Sequence, residues 1–310
     1  MRVALIGQQD FGKAVLEAFL ARGDQVVGVF CAPEKPGARP DPFKLDAQEK
    51  GLPLFQFDSL RSAEAQNAMR ALDADLGVMA FVLQFVPQEL VHIPKHGTIQ
   101  FHPSLLPRYR GPSAINWPII RNDTETGLTI FRPTDGLDEG PVILQKRTPI
   151  GPDDTLGNVY FERLFPLGVQ ALLEAADLVV GGLHLEHEQD EALATYEGWC
   201  RADASRINWH SHVDMVYNLI RGCNPAPGAW TTFKGQKIQI FDARKSIFRR
   251  FKDVEGHVAE VTAVSDTSFT VSAQGGHVEV FKAKGEGGKK DSGGAVARAL
   301  GLQPGSQLGS

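Results

Sequence analysis

Cysteine is scarce in this chain. Cys31, Cys200 and Cys223 are the three in 310 residues, far apart, and no two form a C-x-x-C pair. That excludes a zinc ribbon and a redox dithiol and fits a reducing, cytoplasmic setting. A long apolar run is missing too. The opening Met1-Arg-Val-Ala-Leu-Ile-Gly7 meets glycine at once. It is too short for a signal core or a membrane span and reads as a first buried strand. Positive charge is not in excess: the formal net charge is −5, with 32 Lys and Arg against 37 Asp and Glu. The short basic clusters, Arg244-Lys245 with Arg249-Arg250 and Lys289-Lys290, read as solvated surface. A protein built to hold nucleic acid carries a basic patch, so no nucleic-acid partner is expected. Metal-binding patterns are also lacking. There is no H-E-x-x-H, and Pro94 denies His92 and His96 a common helix. No metal is expected.

One nucleotide pattern is nearly present. Gly7-Gln-Gln-Asp-Phe-Gly12-Lys13-Ala14 has P-loop spacing, but Ala14 stands where Ser or Thr must ligate magnesium. The pattern is not G-x-G-x-x-G either. Gly7 is read as permitting a tight strand-to-helix turn and Gly12 as letting the helix pack closely. No nucleotide is expected.

What the chain does have is strand-like runs alternating with helical spacing over the first 180 residues or so. VALI (3–6), VVGVFC (26–31), LGVMAF (76–81), GTIQF (97–101), GLTIF (127–131) and VILQK (142–146) read as strands. Helical periodicity lies between them, with a long stretch over 155–181. Pro33, Pro36, Pro40 and Pro42 mark a surface loop. This alternation predicts an α/β fold with an open parallel sheet, whose ligand crevice lies at the carboxyl ends of the strands. After residue 200 the texture changes. A helix is expected over 212–221. Short alternating runs follow (KIQIF, HVAEVTAV, SFTVSA, HVEVFKA) and predict a smaller β-rich barrel or sandwich. The boundary is placed near residue 203, giving domains 1–203 and 204–310.

Candidate chemistry gathers on two turns. His102 follows a strand-like run, with Gln100 two residues back on the same face of an extended chain. Asp138 lies in the Asp135–Gly140 turn, also after a strand. An amide, an imidazole and a carboxylate can together handle a tetrahedral acyl-transfer intermediate. Asp153-Asp154-Thr155 reads as a helix cap.

These residues sit in motifs that resemble a known family. HPSLLPRYRG (102–111), SAINW (113–117) and DGLDEG (135–140) are similar to folate-dependent formyltransferases. The segments MRVALIGQQDFG, LQFVPQEL, ATYEG (194–198), INW (207–209) and NLIRG…PGAW are most similar to one branch. That branch is the amino-terminal hydrolase domain of 10-formyltetrahydrofolate dehydrogenase. The resemblance implies a Rossmann-like catalytic domain followed by a small OB-like open barrel. It implies 10-formyltetrahydrofolate as formyl donor, with His102 and Asp138 as catalytic residues. Gln100 takes the place where transferases have Asn and the dehydrogenase branch has an apolar residue. Glu139 and Pro141 depart from the Thr and Asp of the family.

The resemblance further implies a pterin site between the 79–86 loop and the 134–138 turn. Its residues would be Met79, Phe81, Val82, Leu83, Gln84 and Phe85, with Thr134, Asp135, Gly136 and Leu137. Ser104, Arg110 and Gly111 would form the substrate loop. Three functions follow as alternatives: a hydrolase releasing formate, an N-formyltransferase to a small amine or amino sugar, and a non-catalytic folate-binding module. A methionyl-tRNA acceptor is set behind these. The loop after the second strand carries only Lys35, Arg39 and Lys44, offset by Glu34 and Asp41, whereas phosphate contacts dominate nucleic-acid affinity.

Overall fold

The computed structural model describes residues 1–309. Its elements run in the order β1 (Arg2–Gly7), α1 (Gln9–Ala21), β2 (Gln25–Phe30), α2 (Pro42–Glu49), β3 (Leu54–Phe55), α3 (Ala63–Ala71), β4 (Leu76–Ala80), α4 (Gln88–Val91), β5 (Thr98–His102), α5 (Asn116–Ile120), β6 (Glu125–Phe131) and β7 (Val142–Pro149). A π-helical turn, Asn158–Leu164, then leads into α6 (Phe165–Val180). The rest comprises α7 (Val213–Gly222), β8 (Ala229–Phe233), β9 (Gln236–Ile247), β10 (Val261–Val264), β11 (Phe269–Ala273), β12 (Gly276–Gly285), β13 (Asp291–Ser292) and α8 (Gly293–Leu300).

The first sheet has the order β3-β2-β1-β4-β5-β6-β7. Strands β1 to β5 pair in parallel. Their near-continuous apolar runs are those of strands covered on both faces. The expected parallel sheet therefore forms, with one difference: β6 pairs antiparallel to β5, setting Phe131 opposite Gln100 and Thr129 opposite His102. On one face Phe101 lies 4.4 Å from Phe11 of α1, and Phe11 meets Phe165 of α6 edge-on. The other face buries Ala4, Ile6, Met79, Met69 and Leu90 in one cluster. Because side chains alternate along a strand, Phe101 joins the α1 and α6 side, and Gln100 and His102 point to the opposite face.

Gly7 serves close packing. A Cβ there would stand 2.6 Å from the Ala80 carbonyl oxygen, and one at Gly12 would stand 3.2 Å from the Phe43 ring. The amide of Gln9, where a P-loop would meet phosphate, donates to the Asp41 carboxylate at 2.9 Å. Asp41 also caps α2 through the Phe43 amide.

The chain divides into two compact units. One comprises Met1–Gly111, Gly127–Thr148 and Phe161–Tyr196; the other comprises Pro112–Thr126, Pro149–Tyr160 and Glu197–Ser310. Two short internal segments thus belong with the carboxyl-terminal part. The second unit holds an antiparallel sheet in the order β10-β11-β12-β9-β8, with β13 on β12. Its core includes Trp209, Val213, Ile220, Ile238, Phe269 and Val280. The helix expected over 212–221 is α7, capped by the His212 side chain, which accepts from the Asp214 amide. The cap expected at 153–155 narrows to Thr155, whose Oγ1 accepts from the Asn158 amide. Asp153 instead accepts a hydrogen bond from the Tyr217 hydroxyl. No helix among the described residues is long and apolar enough to cross a membrane.

Candidate active site

His102 is the last residue of β5, so the strand delivers its imidazole to the carboxyl edge of the sheet. The ring is buried, and Nε2 lies 2.8 Å from the Tyr109 carbonyl oxygen. A carbonyl can only accept, so Nε2 carries a hydrogen. Nδ1 then faces the Asp138 carboxylate, 3.5 Å from Oδ2. When the ring is neutral, Nδ1 is an acceptor; when it is protonated, Nδ1 is a donor.

Asp138 Oδ2 is fixed a second way, accepting from the Gly111 amide at 2.8 Å. Its Oδ1 makes no hydrogen bond among the described residues. One carboxylate oxygen is thus held, and the other is free to order a small molecule. Gly111 has φ +92, a conformation open to glycine at little cost. Three non-glycine residues around the site also have positive φ: Phe81 at +60, Tyr109 at +60 and Asp138 at +55. An aromatic residue in this region is strained by roughly 1–3 kcal/mol, and such strain gathers at functional sites.

Gln100 faces the same side as His102, and its side-chain amide has no protein partner among the described residues. Thr134 Oγ1 is buried without a partner. Phe81, Leu83, Phe85 and Leu137 are 43%, 59%, 46% and 53% exposed. A cavity of about 480 Å³, lined by Arg61, Gln66, Phe85, Pro87, Glu89 and Asp135, lies in the same unit. Arg61 lies over the Phe85 ring, 4.3 Å from its centroid. That cavity is lined mostly by polar side chains and meets the expected pterin site only at Phe85 and Asp135; it is the exposed Phe81, Leu83, Phe85 and Leu137 that offer the apolar wall a flat heteroaromatic ligand needs. A second cavity of about 490 Å³, in the other unit, is lined by Asp203, Arg206–His210, Ala259 and Gln307–Gly309 and holds none of these residues. The chemistry therefore concentrates in the first unit.

Not every expected residue faces the site. Met79 is buried in the sheet core. Gln84 spends its amide on the Phe57 carbonyl. Ser104 is buried, with its hydroxyl donating to the Arg108 carbonyl. Arg110, expected in a substrate loop, is 0% exposed. Its guanidinium donates to Gln189, to both oxygens of Glu191 and to the Tyr196 hydroxyl. Those bonds commit it to the protein, so it supports the loop from within. Of the segment 189–196, only 194–196 lies in a quoted motif, and 189–193 is the part that motif reasoning did not assign. Thr195 accepts from the Tyr109 and Arg110 amides and donates from its own amide to the Pro107 carbonyl. No group of three or more His, Cys, Asp or Glu able to hold a metal occurs among the described residues.

Known proteins are similar to both parts of this chain. The Formyl transferase family matches residues 1–176, and the Formyl transferase C-terminal domain matches residues 201–300. Cytosolic 10-formyltetrahydrofolate dehydrogenase of Mus musculus is 42% identical over 248 residues, covering 78% of this chain and 27% of that protein. The chain thus spans about a quarter of the length of that relative. Methionyl-tRNA formyltransferase of Geotalea uraniireducens (strain Rf4) is 32% identical over 314 residues, covering 100% of this chain and 98% of that protein. In fold, the N-formyltransferase of Helicobacter canadensis, solved with folinic acid and dTDP-3-aminofucose, matches with a TM-score of 0.67 at 15% identity. That match covers 93% of this chain and 99% of that one. The parallel-rich first sheet, the antiparallel second sheet and the matches over both place this chain in the formyl transferase family.

Proposed function

We propose that this protein transfers the formyl group of 10-formyltetrahydrofolate, with water as acceptor, releasing formate and tetrahydrofolate. The observation that carries this reading is the His102–Asp138 pair. A single loop fixes both side chains and leaves one Asp138 oxygen without a protein partner.

The pterin would lie against Phe81, Leu83, Phe85 and Leu137, with Thr134 supplying an unmatched hydroxyl. Water attacks the formyl carbon. Asp138 Oδ1 orders that water and takes its proton. The protonated Nδ1 of His102 and the Gln100 amide donate to the oxyanion that develops. Collapse of the tetrahedral intermediate breaks the bond from the formyl carbon to N10. The amine of tetrahydrofolate takes up a proton, and formate leaves.

Gln100 supports a second reading, an N-formyltransferase to a small amine, because its amide stands where the transferases have Asn. Methionyl-tRNA remains behind both. Lys44 lies on α2 and is paired with Glu34 at 2.5 Å, so the loop after β2 itself carries only Lys35 and Arg39, which make no ion pair among the described residues.

The test is turnover of 10-formyltetrahydrofolate by purified protein with no added acceptor, followed by formate release. Steady release that disappears in both His102→Ala and Asp138→Ala is expected. Folate binding without formate would replace water by an amine, to be sought among amino sugars, small amines and charged initiator tRNA. Release that persists in either variant would sink the catalytic assignment.

A further inference from the structure

Gln189 lies outside every motif described above, yet its amide is fully used. Within residues 185–190 it alone is not exposed. Its Nε2 donates to two backbone carbonyls of the catalytic turn, those of Asp138 at 2.8 Å and Gly140 at 2.7 Å. Its Oε1 accepts from Nε and Nη2 of Arg110 at 3.1 and 2.9 Å. A primary amide has two N–H donors and one carbonyl. Both donors are spent, and the carbonyl takes two bonds. The side chain has no donor left for a ligand.

The residues that Gln189 joins are those that set the site. Tyr109, Arg110 and Gly111 are consecutive. The Tyr109 carbonyl holds His102, and the Gly111 amide holds the Asp138 carboxylate. Arg110, between them, holds Gln189, which holds the Asp138 backbone. The Asp138 turn needs such a brace, since Asp138 stands at φ +55. Gly140 is pressed so close to the Arg132 carbonyl that a Cβ would stand 1.8 Å from its oxygen.

We propose that Gln189 is a positioning residue for formyl transfer. It fixes the Asp138 turn against the Tyr109–Gly111 segment, with Arg110 as its anchor, so that the carboxylate and the imidazole share one frame. This rests on the formyl-transfer reading of the site.

The test compares Gln189→Glu and Gln189→Leu with the wild type in the full chain. Gln189→Glu keeps the oxygen that pairs with Arg110 and loses both N–H donors. Gln189→Leu loses both functions at similar volume. A misplacement of about 1 Å costs on the order of 100-fold in rate. We expect kcat for 10-formyltetrahydrofolate to fall by roughly 10- to 100-fold in Gln189→Glu, with KM unchanged and the loss of kcat out of proportion to any lowering of the melting temperature. A second readout does not need turnover. In the wild type the Gly111 amide proton is bonded to Asp138 Oδ2, and in both variants its NMR resonance should move upfield and exchange faster with solvent. If the wild type binds folate but releases no formate, water has failed as the acceptor, and the Gly111 amide alone decides this inference. An unmoved Gly111 resonance in Gln189→Glu overturns it. So does a loss of kcat only in proportion to a lowered melting temperature. If Gln189→Leu fails to fold, Gln189→Glu carries the test alone.

Discussion

At the scale of single residues, function turns on which atoms are already committed. His102 gives Nε2 to a carbonyl and keeps Nδ1, while Asp138 gives Oδ2 to an amide and keeps Oδ1. Asp138→Asn separates the two duties. Its amide oxygen still accepts from the Gly111 amide, but the side chain no longer takes a proton. General-base catalysis contributes about 10²–10⁴-fold, so kcat for 10-formyltetrahydrofolate should fall within that range while the melting temperature stays put. A melting temperature that falls with kcat would mean that Asp138 is chiefly structural. The Arg110–Glu191 pair makes a prediction in pH. The hydrogen bond from Arg110 holds the Glu191 carboxyl below its ordinary value, against a smaller opposing effect of burial. A carboxylate with a lowered folded-state pKa contributes stability above its unfolded pKa, and that contribution is lost as pH falls through the folded value. Wild type should therefore melt above Glu191→Gln at pH 7. The gap should close as pH drops below about 4.3. A gap that persists at pH 3 would show that charge is not its source.

At the scale of elements, the strands were legible because buried parallel strands are continuous apolar runs, and VALI, VVGVF and LGVMA are such runs. The direction of β6 was not, since GLTIF reads the same in either orientation. His102 and Asp138 were legible through their motifs. Gln189 was not, because it lies in a polar stretch without periodicity, and its partners are 51 and 79 residues distant in sequence. Arg110 shows the opposite failure. A basic residue in a signature loop reads as a substrate contact, and only its burial shows it holding the loop together. The turn between β6 and β7 gives the element-scale prediction. Gly140→Ala puts a methyl group where the Arg132 carbonyl stands, so the backbone of the turn must shift. Because Asp138 is two residues away, formate release should drop more than 10-fold, the order expected when a reacting group is misplaced. The parallel strands, which do not depend on the turn, should leave the far-UV circular dichroism unchanged. Wild-type turnover in Gly140→Ala would mean that Asp138 does not depend on the geometry of its turn.

At the scale of the whole molecule, the division into two units follows contacts more than chain order. The second unit gathers residues 112–126, 149–160 and 197–310, and Arg221 of α7 binds all three. Its guanidinium donates to the Asn218 side chain in its own helix, to the Gly151 and Asp154 carbonyls, and to the Ile119 carbonyl and Asn122 side chain. Arg221 is 3% exposed, and burial lowers its pKa from the ordinary guanidinium value. A buried charge is tolerated where hydrogen bonds satisfy it. Replacing Arg221 by Leu removes the charge but strands several buried oxygens, each costing about 1–3 kcal/mol when left unpaired. Relaxation and water recover part of that, so a net loss of about 2–4 kcal/mol is expected. The sequence supplies a selective probe. All four tryptophans, Trp117, Trp199, Trp209 and Trp230, fall in this unit, so tryptophan fluorescence reports its unfolding. In urea, the fluorescence midpoint of Arg221→Leu should fall by about 1–2 M for a slope of about 2 kcal/mol per M. An unchanged midpoint would mean that the other links between the segments, such as the Tyr217–Asp153 hydrogen bond and the packing of Trp117 and Ile120 on the core, suffice without Arg221.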